Sequence, residues 1–228
     1  MHRWRKVMRA SQKYIQSLYE EWDSDLQKIE EYAEEHQVPI MEIDGIRFIK
    51  QLIRIHRPKK ILEIGTAIGY SAIQMAKVDP SIHVTTLEVD ESRYQQAIEN
   101  IQTLNYENQI KAYHQDALDF LKRRTEDELF DLVFIDAAKG KNKEFVNYAD
   151  PFLKKDGLLV VDNVLFKGYV SGENNESRRL SKLGSKISSF NQWLMNDERY
   201  ETTIVEVGDG IALAIKQTNK KGASDSRE

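Results

Sequence analysis

The chain has 228 residues, 40% hydrophobic and 31% charged, which is enough for one domain with a sizeable core and a short extension. It contains no cysteine, which excludes disulfides, thiol nucleophiles and thiolate metal sites and fits a reducing cytoplasm. A net charge of -4 excludes a uniformly basic nucleic-acid coat but leaves room for a local basic patch, and no apolar run reaches the ~18 residues of a membrane span.

Met1 to Met8 is basic and lacks the apolar stretch of a secretory signal. Residues 1–38 read as a helical extension, in which Ile15, Leu18, Tyr19, Trp22, Leu26 and Ile29 recur at three- and four-residue spacing and define one apolar face. Pro39 ends that region. Asp44 is placed to cap a second helix over 45–56, with Ile46, Ile49, Leu52 and Ile53 inward, and Pro58 stops it. From Lys60 the pattern changes to apolar runs at 61–64, 84–87, 110–113, 132–135 and 158–161, separated by helical segments at 71–77, 92–104, 117–124 and 143–153. That alternation predicts a parallel sheet covered by helices on both faces. Gly208-Asp209-Gly210 is a turn signal between strands at 202–207 and 211–216, so an antiparallel hairpin closes one edge and completes seven strands. The expected domain spans 39–217. The tail, 218–228, is small, polar and charged and reads as disordered.

The densest signal is Glu63-Ile64-Gly65-Thr66-Ala67-Ile68-Gly69-Tyr70-Ser71, a strand entering a glycine-bearing loop and then a helix. Gly65 permits close backbone approach to a ligand, and Gly69 permits a tight turn. The helix start adds unpaired N–H groups and a positive dipole end. The spacing is not that of a dinucleotide fingerprint, and no Gly-Lys-Ser/Thr follows for a phosphate loop. A cationic nucleoside cofactor without phosphate suits the acidic lead residue, Glu63, better; a plain strand–loop–helix turn is the alternative. Glu88 closes the second strand, where a carboxylate accepts from ribose hydroxyls or is a solvated strand end. Asp116 follows the third strand, where it reaches an adenine amino group, caps the next helix, or both.

Two further strands end in oxygen donors, Ile135-Asp136 and Val161-Asp162-Asn163. Neighbouring parallel strands would bring Asp136, Asp162 and Asn163 to one place, roughly 5 Å apart. Two carboxylates and an amide oxygen are hard ligands suited to Mg²⁺ or a similar divalent cation. Helix-capping and turn roles are the competing account. Lys139, three residues after Asp136, is a candidate general base if its pKa is lowered, a group that orients a substrate hydroxyl, or a surface lysine. No histidine pair has metal spacing and no serine lies in a G-x-S-x-G context, so hydrolase chemistry has no support.

Glu63 to Ala72, Phe134-Ile135-Asp136-Ala137-Ala138-Lys139 and Asp162-Asn163-Val164-Leu165-Phe166-Lys167-Gly168 together resemble the metal-dependent O-methyltransferases of the catechol and caffeoyl-CoA type. The resemblance runs from about Pro39 to Lys216. It implies a Rossmann-like class I methyltransferase fold that uses S-adenosylmethionine and Mg²⁺. Glu34 to Met41, Asp162 to Gly168 and Trp193-Leu194-Met195-Asn196 are similar, more narrowly, to bacterial tRNA 5-hydroxyuridine methyltransferases, which form 5-methoxyuridine at the wobble position. That likeness implies cofactor contacts at Met41, Ser71, Glu88, Asp116, Ala117 and Asp136, a metal held by Asp136, Asp162 and Asn163, and a homodimer. Asn142 stands where the plant enzymes often carry tyrosine, which argues against a phenylpropanoid-CoA acceptor.

Catechol presents two adjacent oxygens, and 5-hydroxyuracil presents its hydroxyl beside the O4 carbonyl, so one chelating site serves either acceptor. A tRNA anticodon also needs a basic surface. In 177–196, Leu180, Leu183, Ile187, Phe190 and Leu194 form an apolar stripe, and Arg178, Arg179, Lys182 and Lys186 fall on a neighbouring face, with Lys167 in the loop before. A solvated helix face is the alternative. Arg3, Arg5, Lys6 and Arg9 form a second basic cluster, read as disordered. Three functions remain open: tRNA wobble-uridine O-methylation, methylation of a small catechol-like molecule, and a catalytically silent cofactor- or RNA-binding module.

Overall fold

The computed structural model describes residues 10–19, 24–123 and 128–217. Three helices, α1 (Ala10–Ser17), α2 (Ser24–Glu35) and α3 (Ile43–His56), precede the first strand. Then follow β1 (Lys60–Ile64), α4 (Tyr70–Ala76), β2 (His83–Glu88), α5 (Glu91–Thr103), β3 (Ile110–His114), α6 (Ala117–Arg123), β4 (Phe130–Ile135) and α7 (Asn142–Ala149). The chain ends with β5 (Leu153–Asp162), α8 (Arg178–Met195), β6 (Tyr200–Val205) and β7 (Ile211–Lys216). The strands form one seven-stranded sheet of order β3-β2-β1-β4-β5-β7-β6. β1 to β5 run parallel, and β7 and β6 form the expected antiparallel hairpin against β5.

Side-chain alternation along the strands divides the core into two layers. Ile61, Leu132, Phe134, Leu158 and Val160 face one way and pack with Leu26 and Ile29 of α2, Ile46, Ile49 and Ile53 of α3, Ile73 of α4 and Ile101 of α5. Leu62, Ile64, Val133, Ile135, Leu159 and Val161 face the other way and pack with Leu118 and Leu121 of α6, Phe145 and Val146 of α7, and Phe190 and Leu194 of α8. Strands buried on both faces explain why the sequence shows continuous apolar runs there.

Several boundaries differ from the sequence expectation. Among the described residues of the apolar face expected across 15–29, the buried ones are Leu26 and Ile29 of α2, joined there by Ala33. α1 buries none of its residues, Ile15 and Leu18 are 44% and 63% exposed, and Trp22 lies outside the described residues. Asp44 is not the cap of α3, which starts two residues earlier, at Ile43, from Glu42. Its carboxylate instead accepts from Tyr19 Oη and Gln16 Nε2, each at 2.9 Å, and so fastens the N-terminal segment to α3. β5 begins five residues before the expected run, because Leu153 already pairs with Phe130. α7 accordingly ends at Ala149, and Asp150–Phe152 forms a 3-10 turn. The expected disorder of 218–228, the cluster Arg3, Arg5, Lys6 and Arg9, and the end of helix 117–124 at Arg124 fall outside the described residues. Among the described residues no helix is long and apolar enough to cross a membrane.

The parallel order reverses between β1 and β4, since β2 and β3 lie to one side of β1 and β5 lies beyond β4. Such a reversal leaves a crevice outside the carboxyl ends of the strands, where open α/β sheets bind ligands.

Candidate active site

That crevice is a cavity of about 660 Å³. Of the residues singled out in the sequence, Met41, Gly65, Glu88, Asp116, Ala117, Asp136, Lys139, Asp162, Asn163 and Lys167 line it. Glu63 and Ser71 stand behind its wall, and Arg178, Arg179, Lys182 and Lys186 lie outside it on the exposed side of α8.

The glycine loop is built by contacts between strands. Gly65 has φ of 106°, and the N–H groups of Gly65 and Thr66 both donate to Leu87 O, at 3.0 and 3.2 Å. Glu63 is wholly buried and accepts from Ser71 Oγ and Thr86 Oγ1, each at 2.5 Å, while Thr66 and Thr86 hydroxyls lie 2.6 Å apart. One carboxylate thus ties together β1, the loop, β2 and α4. Burial pushes the Glu63 carboxyl up to about 7, against the pull of those two hydroxyls, with Asp136 and Glu88 adding like charge.

Glu88 Oε2 accepts from Ala67 N at 2.8 Å, and Oε1 accepts from Val89 N and Asp90 N, each at 2.9 Å. Ala67 sits at φ 46°, so Glu88 shapes the loop as well as facing the cavity. An ionised carboxylate has about four lone-pair sites, which leaves capacity for a ligand hydroxyl. Asp116 is a helix cap, accepting from Leu118 N at 2.8 Å and Asp119 N at 3.2 Å, and it lines the cavity at the start of α6.

At the other end, Ile135 pairs with Val161 in the β4–β5 register, so Asp136 and Asp162 leave adjacent strand ends together. Burial raises the Asp136 carboxyl, and Lys139 pulls it down. Asp162 is raised well above its ordinary value, first by burial and then by the charge of Asp136, against the Asn163 N–H and Lys139. Two buried carboxylates that repel each other, with an amide beside them, are a donor set that a hard divalent cation fits. Among the described residues no three His, Cys, Asp or Glu side chains group as a metal cage, so any such ion depends on the Asn163 amide.

Asn163 has φ of 58°, and Phe166, Lys167 and Gly168 continue at 46°, 53° and 79°. Left-handed backbone at non-glycine residues costs about 1–2 kcal/mol each and persists only where the surroundings impose it. Here they do: Val164 N donates to Gly210 O, Leu165 N to Asp209 O, and Lys167 N to Asp209 Oδ1 at 2.6 Å.

Asp209 was missed in the sequence, where it read only as part of a turn. It is 6% exposed, lines the cavity and raises Asp162 electrostatically. A signal was present: a last strand antiparallel to β5 must start beside the end of β5, and Ile211 does pair with Asp162. Arg93 and Lys141 also line the cavity and carried no recognisable motif.

The outer residues of α8 form a surface beside this site. Its N-terminal half packs on the Lys139–Lys141 turn, with Leu183 Cδ1 at 4.0 Å from the β-carbon position of Gly140.

The O-methyltransferase family model matches residues 16–217. A catechol O-methyltransferase of Niastella koreensis is 33% identical over 177 residues, covering 74% of this chain and 78% of that protein. A Staphylococcus aureus protein assigned as a candidate caffeoyl-CoA O-methyltransferase superposes with a TM-score of 0.84 at 39% identity, covering 90% of this chain and 99% of the other. A Bacillus cereus O-methyltransferase solved with SAH superposes with a TM-score of 0.78 at 26% identity, covering 91% and 97%.

Proposed function

The chain belongs to the O-methyltransferase family, and from that premise we propose that it methylates the hydroxyl of 5-hydroxyuridine at the wobble position of a tRNA, using S-adenosylmethionine and a divalent cation such as Mg²⁺. The observation that carries the acceptor class is the exposed basic set Arg178, Arg179, Lys182 and Lys186 on the helix that packs against the Lys139–Lys141 rim of the cavity. Together with Lys167 it offers phosphate contacts within reach of a nucleotide turned into the crevice.

In this reading the two ends of the cavity divide the work. Glu88 and Asp116 hold the nucleoside edge of the cofactor, and Gly65 gives it room past the sheet. Asp136, Asp162 and Asn163 would hold the divalent cation, beside which the acceptor's paired oxygens are placed. When bound, S-adenosylmethionine supplies an electrophilic methyl on a cationic sulfur, and a divalent ion supplies a Lewis acid that makes a chelated hydroxyl easier to deprotonate. Lys139, beside both carboxylates, orients the acceptor hydroxyl as the ammonium and, only in its neutral amine form, takes the hydroxyl proton at Nζ. Positioning and electrostatics supply most of the acceleration, and no covalent enzyme intermediate is required. A homodimer belongs to the same reading and is checked by light scattering.

The likeness to a catechol O-methyltransferase favours a second reading, a small catechol-like acceptor with the same paired oxygens. Nucleoside mass spectrometry decides between them: tRNA bearing 5-hydroxyuridine, incubated with enzyme, S-adenosylmethionine and Mg²⁺, should yield 5-methoxyuridine. Its absence, with turnover of a catechol, overturns the tRNA assignment. Exchanging Lys182 and Lys186 for glutamate should weaken tRNA binding and flatten its salt dependence; unchanged affinity removes the basic patch from the interface.

A further inference from the structure

The loop that leaves β5 is held from two sides, and the second side has no part in the chemistry described so far. From the hairpin, Asp209 and Gly210 accept the N–H groups of Val164, Leu165 and Lys167. From α8, Asn191 Nδ2 donates to the carbonyl of Val164 at 2.8 Å, a bond between two buried groups 27 residues apart. Val164 is fully buried, and it follows directly on Asn163, whose left-handed backbone sets where its amide points.

α8 is shaped to make this contact. Its inward stripe is Gly184, Ile187, Asn191 and Leu194, at helical spacing. A β-carbon at Gly184 would meet Tyr169 O at 2.6 Å, so the helix lies directly on the same loop two turns before Asn191. Packing brings the helix to the loop, and Asn191 then fixes one peptide of it.

Stability alone is a poor reason for an amide here. Asn191 is 8% exposed, and its Oδ1 is buried with no hydrogen-bond partner. A leucine of similar volume would remove that orphan acceptor while leaving the Val164 carbonyl unpaired, so one unpaired buried oxygen replaces another. What leucine cannot do is hold the 164–165 peptide, the next one after Asn163, whose carbonyl Asn191 fixes from one side while Gly210 O fixes the Val164 N–H from the other.

We propose that Asn191 is a positioning residue for the candidate metal ligand Asn163, acting through the Val164 carbonyl. The proposal rests on the reading of Asp136, Asp162 and Asn163 as a cation site. Groups that orient ligands from behind typically change metal affinity by 10–100-fold when removed. Asn191→Leu should therefore weaken Mn²⁺ binding by about tenfold or more, while S-adenosylhomocysteine binding, which depends on the β1 to β3 ends, stays within about twofold.

Mn²⁺ is titrated into wild type, Asn191→Leu and Asn191→Ser, with the free ion read by electron paramagnetic resonance and S-adenosylhomocysteine affinity by calorimetry. Serine is too short to reach Val164 and should lose Mn²⁺ affinity as leucine does. Wild-type Mn²⁺ affinity in either variant overturns the positioning role. Loss of S-adenosylhomocysteine binding in both makes Asn191 a structural residue and overturns it equally. A wild type that binds no Mn²⁺ removes the cation reading itself, and the inference with it.

Discussion

Gly65 stands with its Cα against the main chain of Asp136: a β-carbon there would meet the Asp136 carbonyl oxygen at 2.1 Å and its carbonyl carbon at 2.8 Å. The obstacle is backbone in the adjacent strand end, not a side chain that turns aside. Asp136 N also donates to Ile64 O at 3.0 Å, so the two segments are locked together. Gly65→Ala adds left-handed strain of about 1–3 kcal/mol to this clash. It should lower S-adenosylhomocysteine affinity more than tenfold and weaken the metal site too. Calorimetric titration of both ligands checks this; two unchanged affinities would show that the loop yields more easily than the geometry implies.

Glu63 predicts a pH dependence of stability. Burial raises its carboxyl from 4.5 to about 7, so the folded chain binds this proton more tightly than the unfolded chain. The resulting contribution is complete below pH 4.5 and is lost as pH rises through about 7. Its size is about 3 kcal/mol. Glu63→Gln keeps the shape and stays neutral, and the hydroxyls of Ser71 or Thr86 can rotate to accept from the new amide. Urea unfolding at pH 5 and pH 8 should therefore show a smaller stability difference in the variant, by about that amount. Equal differences in both proteins would mean Glu63 is ionised throughout.

The sheet and the acidic strand ends were legible in the sequence because each depends on local pattern. An apolar run buried on both faces and stopped by Asp136 or Asp162 is visible in five or six consecutive residues. What was not legible depends on register or on partners far along the chain. Gly65 reads as room for a ligand, yet its tightest neighbour, Asp136, lies 71 residues later just past the end of β4, which only the β1–β4 pairing brings near. Asp44 reads as a cap because its neighbours suit one, while its real partners, Gln16 and Tyr19, lie 28 and 25 residues away. Asp209 is hidden by its glycines, which announce a turn so strongly that the carboxylate between them passes as turn chemistry. Asn191 lies within an apolar stripe, and only the loop packed against α8 gives its amide a task.

The paired carboxylates make the metal-free protein less stable than it need be. Asp162 is buried next to Asp136 with its carboxyl raised well above the ordinary range. Asp162→Asn keeps the oxygen that accepts from Asn163 N and removes the like-charge repulsion. Without metal, the variant should be more stable than wild type at pH 8, by on the order of 1 kcal/mol, or about 2–4 °C in melting temperature for a chain of this size. Mg²⁺ at about 100 times its Kd should add about 2.7 kcal/mol to wild type and almost nothing to the variant. Thermal melts with and without Mg²⁺ supply the test, and an equal metal response in both proteins counts against Asp162 as a ligand.

Lys139 has two separable effects, and one variant divides them. Its positive charge lowers the proton affinity of both Asp136 and Asp162. Lys139→Met removes that charge, so both carboxylates hold their protons to higher pH. Because a cation binds the ionised forms, the acid limb of the pH–rate profile should move upward, and more metal should be needed at pH 7. Higher pH and saturating metal together repair that part of the loss. If Lys139 also takes the acceptor's proton, kcat stays lower by about 10²–10⁴-fold even then, the usual contribution of a positioned base. The residual deficit at high pH and saturating metal is the expected result. Full recovery under those conditions would leave Lys139 with an electrostatic role alone, and the acceptor's proton would have to leave to water.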